Sequence, residues 1–228
     1  MIWKVPKIWQ NGDVYILGGG SSVTRQFNIP DKIIQDVVNK VSKPDVYSPY
    51  MSFLHDKHVI GINVAYLIGN WIDICFFGDV SFLTRESTRL AEFPGLKVSC
   101  HPVVENYDWI KYLPRDRRPR GISNNPHTVC WNCNSGSAAI SLAVNAGAKR
   151  IILLGFDMKL NNNGDQHWHD EYNRRGKIDI RKIPFNKHLM GFPAISMDAK
   201  RMGVEILNAS DDTEIKNFPI INIKDLMK

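Results

Sequence analysis

The sequence predicts an α/β fold of three layers, a single domain over residues 1–228 with a mostly parallel sheet and long irregular loops. Three observations predict it. Residues 134–157 read as one helix-to-strand unit that closes on Gly155 and Asp157. Residues 13–17 (DVYIL) run straight into Gly18-Gly19-Gly20-Ser21-Ser22. Short apolar runs at 59–65, 73–77, 96–100 and 204–207 alternate with stretches of helical spacing, and such alternation builds parallel sheets covered by helices.

Residues 13–17 make the first strand. Glycines followed by hydroxyl side chains let a backbone come close to a ligand phosphate. The pattern is neither GxGxxG nor a P-loop, because no GK[ST] follows, and a plain strand-to-loop turn is the alternative. Residues 31–41 have helical spacing, with Ile33, Ile34, Val37 and Val38 on one face. Residues 59–65 (VIGINVA) read as a second buried strand, and its Asn63 is either a satisfied structural group or a ligand contact. Residues 73–77 form a third strand closed by Gly78 and Asp79, and Ser81 is expected to cap a helix reaching Phe93. Residues 96–100 form a fourth.

The stretch 103–127 has no clear period. It carries Tyr107, Trp109 and Tyr112, then the basic run with Arg115, Arg117, Arg118 and Arg120. It reads as a solvated loop or as a phosphate or nucleic-acid contact, with arginine forks on phosphates and aromatics for stacking. In the unit at 134–157, Asn134 and Ser135 occupy N-cap positions, small apolar residues let the helix lie close to a sheet, and Gly147 ends it. Ile151, Ile152, Leu153 and Leu154 then form a strand buried on both faces. The helix start Asn134-Ser135-Gly136 offers N–H groups and a positive dipole end to an anion. Asn63, Asp79 and Asp157 all fall at carboxyl ends of strands, where open α/β sheets bind ligands. The stretch 159–187 is long, polar and irregular, in the manner of a lid. A helix over 193–202, a last strand at 204–207 and a short turn at 211–217 complete the chain.

At 43% hydrophobic and 23% charged, the composition is that of a globular protein. No apolar run approaches the roughly 20 residues of a membrane span, and the start MIWKVPKIW lacks the apolar core of a signal peptide. A cytoplasmic location with reduced cysteines is therefore expected. The net charge of +6 points toward a phosphorylated or nucleic-acid partner.

The densest titratable cluster is His167-Trp168-His169-Asp170, flanked by Asp165 and Glu171. One of the histidines can serve as a general base, since histidine titrates near neutral pH. The imidazole and carboxylate groups also suit a divalent ion, but the HExxH spacing of zinc peptidases is absent. No residue is assigned as a metal ligand. Cys130 and Cys133 form a CxxC that is structural, a redox pair or half of a zinc site. Ser135 lies in no GxSxG elbow, which excludes that hydrolase nucleophile.

GGGSS after the first strand, Asn63 in GIN, Gly78-Asp79, NSGSAAISLAVNAGAKRIILLGFDM and the closing MGVEILNAS resemble a Rossmann-like superfamily. It includes the bacterial sialyltransferases and the hydroxymethylpterin pyrophosphokinase-like proteins. A closer likeness is to proteins of tailed-phage genomes that carry the same unit followed by an HWH segment. The resemblance covers most of the chain in order. By the sialyltransferase likeness, Gly18, Gly19, Gly20, Ser21, Ser22 and Asn63 contact a nucleotide sugar, and Ser135 and Gly136 line the same pocket. Those enzymes carry an asparagine in the glycine turn, where this chain has Gly19 or Gly20, so the donor differs. Their catalytic histidine lies in a late loop, which leaves His167, His169 and His188 as candidates. By the pyrophosphokinase likeness, Asp79 and Asp157 hold a magnesium–nucleotide.

The expected function is thus a nucleotide-sugar-dependent glycosyltransferase, with catalytic roles on His167, His169 and Asp157. A phage context suggests a hydroxymethylated DNA base as acceptor, with Arg115, Arg117, Arg118 and Arg120 on backbone phosphates. Two alternatives are a magnesium-dependent pyrophosphotransferase using ATP and a protein that binds a nucleotide or a DNA end without turnover.

Overall fold

The computed structural model describes residues 1–172 and 183–227. Seven strands form one sheet: β1 (Asp13–Leu17), β2 (His58–Ile62), β3 (Ile74–Phe77), β4 (Leu96–Ser99), β5 (Lys111–Tyr112), β6 (Arg150–Leu154) and β7 (Glu205–Asn208). Their spatial order is β5-β4-β3-β2-β1-β6-β7, and every pairing is parallel. The chain steps outward from β1 through β5 on one side and then returns to place β6 on the other. β1 and β6, in register from Asp13 opposite Arg150 to Leu17 opposite Leu154, therefore flank the topological switch point.

The apolar runs are continuous because both faces of the sheet are covered. Ile16, Ile60, Phe76 and Leu153 point into one core with helices α4 (Ser135–Asn145) and α6 (Phe192–Met202). Leu17, Val59, Phe77 and Leu154 point into the other, against α1 (Ser22–Gln26), α2 (Asp31–Val38) and α3 (Val80–Glu92). A short α5 (Phe185–Leu189) precedes α6. α4 lies across β1, β2 and β3 with all its residues buried. Its Gly, Ala and Ser content is what lets a helix backbone approach that closely.

Several boundaries differ from the sequence reading. β2 stops at Ile62, and Asn63 turns the chain at φ +52 into a 3-10 segment. The N-cap position of α3 belongs to Asp79, not Ser81. The stretch 103–127 carries the edge strand β5, too short to produce a period. The 3-10 segment Pro44–Leu54 was not legible because its apolar residues follow no single spacing. Part of the expected lid, residues 173–182, lies outside the described residues. No helix among the described residues is long and apolar enough to cross a membrane.

Candidate nucleotide-binding and transfer site

A cavity of about 230 Å³ opens at the carboxyl ends of β1, β2 and β6, against the N-terminus of α4. The glycine turn after β1 is stitched to the end of β6: Gly18 N donates to Leu154 O at 2.8 Å and Gly20 N to Gly155 O at 2.9 Å. The approach is too close for side chains. A Cβ on Gly20 would lie 2.6 Å from the Asp157 carboxylate and from Gly155 O.

Asp157 is buried, and it accepts from Ser22 N at 2.9 Å and from the Ser22 hydroxyl. Burial raises its pKa, and the Ser22 bonds oppose that. The pair fastens the end of β6 to the start of α1. Ser22 is consequently buried beneath the cavity rather than lining it, and Ser21 faces a separate polar groove. Asp79 and Asp157 both border the cavity, and Asp157 also holds Ser22. Among the described residues no group of three or more His, Cys, Asp or Glu is disposed around a metal position.

The α4 end is held from two sides. Asn134 Oδ1 accepts from Ser137 N at 2.7 Å, while its Nδ2 donates to His188 O at 3.1 Å. Ser135 Oγ accepts from Gly78 N at 3.1 Å. With Ser135 and Gly136 on the cavity wall, the positive end of an 11-residue helix faces the space. Asn63 enters from β2, and its left-handed backbone aims the side chain inward. Its Oδ1 is buried without a hydrogen-bond partner. Buried amide oxygens are normally satisfied, so this one is an acceptor available to a ligand.

The segment 166–169 docks onto the glycine turn. Trp168 donates from N to Gly19 O at 3.1 Å and from Nε1 to Gly18 O at 3.0 Å. His167 Nδ1 lies 3.2 Å from Gly19 O, which accepts when that nitrogen is protonated. His167 lines the cavity and His169 does not. His169 is buried, stacked on His167 at 5.0 Å, with Nδ1 accepting from Glu171 N at 3.2 Å. Burial, then His167 and Arg85, hold its pKa well below the usual histidine value. It is a neutral support behind His167, outside contact with anything in the cavity.

His188 reaches the cavity from α5. Burial lowers its pKa, and Asp79 pulls in the opposite direction by favouring the charged ring. The basic run divides. Arg118 is tied to Asp198 and to Ile122 O. Arg115 stacks on Trp131 at 3.8 Å and donates to Gly78 O at 2.9 Å. Arg117 and Arg120 are exposed. Of the CxxC, Cys130 is buried and Cys133 half-buried on the cavity wall, and all four cysteines are free thiols.

Sequence reasoning missed Trp131, Lys159 and Gln166, which also line the cavity. Gln166 Oε1 is a second buried amide oxygen without a partner. Its place beside the His167 cluster was the only signal for it, because loop residues carry no periodicity.

No family model matches the chain, and neither does any curated protein sequence. Solved structures do. The sialyltransferase CstII from Campylobacter jejuni, in complex with the substrate analogue CMP-3FNeuAc, aligns with a TM-score of 0.52 at 12% identity over 92% of this chain and 86% of that one. The alpha-2,3-sialyltransferase from Campylobacter jejuni aligns with a TM-score of 0.51 at 14% identity, over 94% and 81%. The MAf glycosyltransferase from Magnetospirillum magneticum AMB-1 aligns with a TM-score of 0.61 at 12% identity over 98% of this chain, which spans 35% of that protein. At these identities the likeness is one of fold.

Proposed function

We propose that the chain is a nucleotide-sugar-dependent glycosyltransferase. One observation carries the reading: the glycine turn, the Asn63 amide and the α4 N-terminus converge on a single cavity that has His167 and His188 on its walls. Donor phosphates lie against the backbone at Gly18–Gly20 and against the positive helix end. Asn63 Oδ1 accepts from a ribose or sugar hydroxyl. The solved structures of like fold include enzymes bound to CMP compounds, which supports a nucleotide in this cavity.

In the transfer step an acceptor oxygen bonds to the sugar carbon while the bond from that carbon to the phosphate oxygen breaks. The nucleotide leaves with the electron pair, and a general base takes the acceptor proton. His188 is the better placed histidine, because it borders both this cavity and the adjoining cleft. Asp79 beside it stabilises the imidazolium formed. His167 holds the glycine turn and the donor side of the space, with His169 behind it. A hydroxylated DNA base is one acceptor compatible with this chemistry. That variant of the reading draws on Arg117 and Arg120, since Arg118 is engaged by Asp198.

The test is a panel of nucleotides and nucleotide sugars, read by thermal shift and by nucleotide release. A ligand that binds only the native state raises Tm by mass action. Release from one nucleotide sugar, reduced about 10²- to 10⁴-fold in His188→Ala, supports the reading. A shift given only by ATP with magnesium moves the assignment to a pyrophosphotransferase. Tight nucleotide binding with no turnover under any condition moves it to a binding protein.

A further inference from the structure

We infer that a second cleft, contiguous with the nucleotide cavity, is the acceptor subsite, and that it selects an acceptor carrying a carboxylate or a phosphate near its reacting hydroxyl. The inference deepens the transferase reading and rests on it. The cleft measures about 450 Å³ and shares Asp79, Trp131, Cys133 and His188 with the nucleotide cavity. A hydroxyl bound there approaches the donor across His188, the position a base must hold.

The anion selectivity follows from the remaining wall. Arg115, Lys187, His101 and Ser81 line it. His101 Nδ1 accepts from Val103 N at 3.3 Å, so its Nε2 is the nitrogen able to donate. Arg115 is already in place: its guanidinium lies over Trp131 at 3.8 Å, and one nitrogen donates to Gly78 O at 2.9 Å. A guanidinium held in this way loses little freedom when it forks onto an anion.

Several arginines elsewhere are neutralised, while Arg85, Arg117 and Arg120, like Arg115, have no carboxylate partner among the described residues. Arg25 pairs with Asp211, Arg89 with Glu86 and Glu171, Arg118 with Asp198 and Arg150 with Asp13. Among the described residues, Arg115 and Lys187 have no carboxylate partner within ion-pair distance. Two cations thus face one carboxylate, Asp79, and Asp79 itself acts on His188. Unpaired cations gathered on the wall of a concave cleft favour an anionic ligand. Arg117 and Arg120 are also exposed, so a DNA duplex is the competing occupant that the test includes. The volume is that of a small-molecule site.

The test measures binding to the intact chain by calorimetry, using methyl glucoside, methyl glucuronide, glucose 6-phosphate and a DNA duplex as probes. Wild type is compared with Arg115→Met, Arg115→Lys, Lys187→Met and Asn63→Ala. The two charged sugars are expected to bind about tenfold more tightly than methyl glucoside. That gain is expected to vanish in Arg115→Met, to fall in Lys187→Met and to survive in Asn63→Ala. Arg115→Lys is expected to restore part of it, since a point charge replaces the fork. Lys187 is exposed, so its variant reads the cleft even if Arg115→Met folds poorly. Equal binding of charged and neutral sugars overturns the inference. So does a charged-sugar affinity that follows Asn63 instead of Arg115, or duplex binding that far exceeds either sugar and falls steeply with salt. Nucleotide affinity, expected to fall in Asn63→Ala, is measured in parallel, so a failure of the transferase reading shows as nucleotide silence while the cleft is still read by its own probes.

Discussion

The Trp168 indole donates from Nε1 to the carbonyl of Gly18 at 3.0 Å. This bond joins two segments 150 residues apart in sequence and makes the glycine turn and the histidine segment one unit. The indole is buried and meets Tyr47 edge-on at 5.7 Å. Trp168→Phe keeps most of the packing and leaves Gly18 O without that donor. The expected loss is about 1–3 kcal/mol, read as a lower urea midpoint with unchanged slope, together with weaker nucleotide binding. A variant as stable as wild type would show that the bond contributes nothing net.

Gly20→Ala and Gly19→Ala separate two kinds of close approach. At Gly20 a Cβ meets backbone and the buried Asp157 carboxylate, both at 2.6 Å. At Gly19 the nearest atom is His167 Nδ1 at 2.8 Å, on a ring that can turn. Gly20→Ala is expected to cost about 1–3 kcal/mol, and Gly19→Ala less. Nucleotide affinity should nevertheless fall in both. Denaturant titration and nucleotide binding, measured side by side, distinguish them.

Asp157 has a pH signature. Burial raises its pKa, so the folded chain holds this proton more tightly than the unfolded chain does. The resulting contribution is present in acid and is lost as pH rises through the raised value. Asp157→Asn removes the titration. Its Oδ1 can still accept from Ser22 N while its Nδ2 donates to Ser22 Oγ. The stability difference should therefore move in favour of the variant as pH rises from about 4 to about 7. Urea midpoints across that range check it.

His169 works in the other direction. Its folded pKa is well below the ordinary value, so the unfolded chain takes up the proton first. Stability is present above about pH 6.5 and lost as pH falls through it. His188, also lowered, adds to the same loss. His169→Gln is expected to flatten the pH dependence of the urea midpoint between about 7.5 and 5.5 without abolishing it.

The basic run should split in a stability scan. Asp198 accepts from Arg118, from Arg201 at 3.0 Å and from Ile122 N at 2.8 Å. Asp198→Ala leaves that N–H buried and unpaired, at a cost of about 1–3 kcal/mol. Arg117→Ala and Arg120→Ala, on exposed side chains, are expected to stay within about 0.5 kcal/mol of wild type. Thermal denaturation of the three variants provides the comparison.

The sheet was legible because its signals are local. Continuous apolar runs such as Ile151 to Leu154 mark doubly buried strands wherever they pair, and the Asn134 cap and the Gly147 stop mark a helix before it packs. The positions of Gly18, Asn63, Asp79 and Ser135 at strand or helix ends placed them on one rim for the same reason. Local chemistry could not distinguish His167 from His169, since the two residues share a segment and a side-chain type. Nor could it separate Arg118 from Arg117, because the difference is Asp198, eighty residues away.

The sequence alone determined the layer architecture, the parallel sheet and the glycine turn, since period, propensity and capping act over a few neighbouring residues. Tertiary structure alone decided which polar groups are spent and which are available. Ser22 holds Asp157, Asp198 holds Arg118, and the ring of His167 covers His169, while the buried Asn63 and Gln166 oxygens are left without a hydrogen-bond partner and Arg115 without a carboxylate. The physical reason is that satisfaction of a buried polar group depends on partners supplied by distant segments, and only the folded chain brings those partners within about 3 Å.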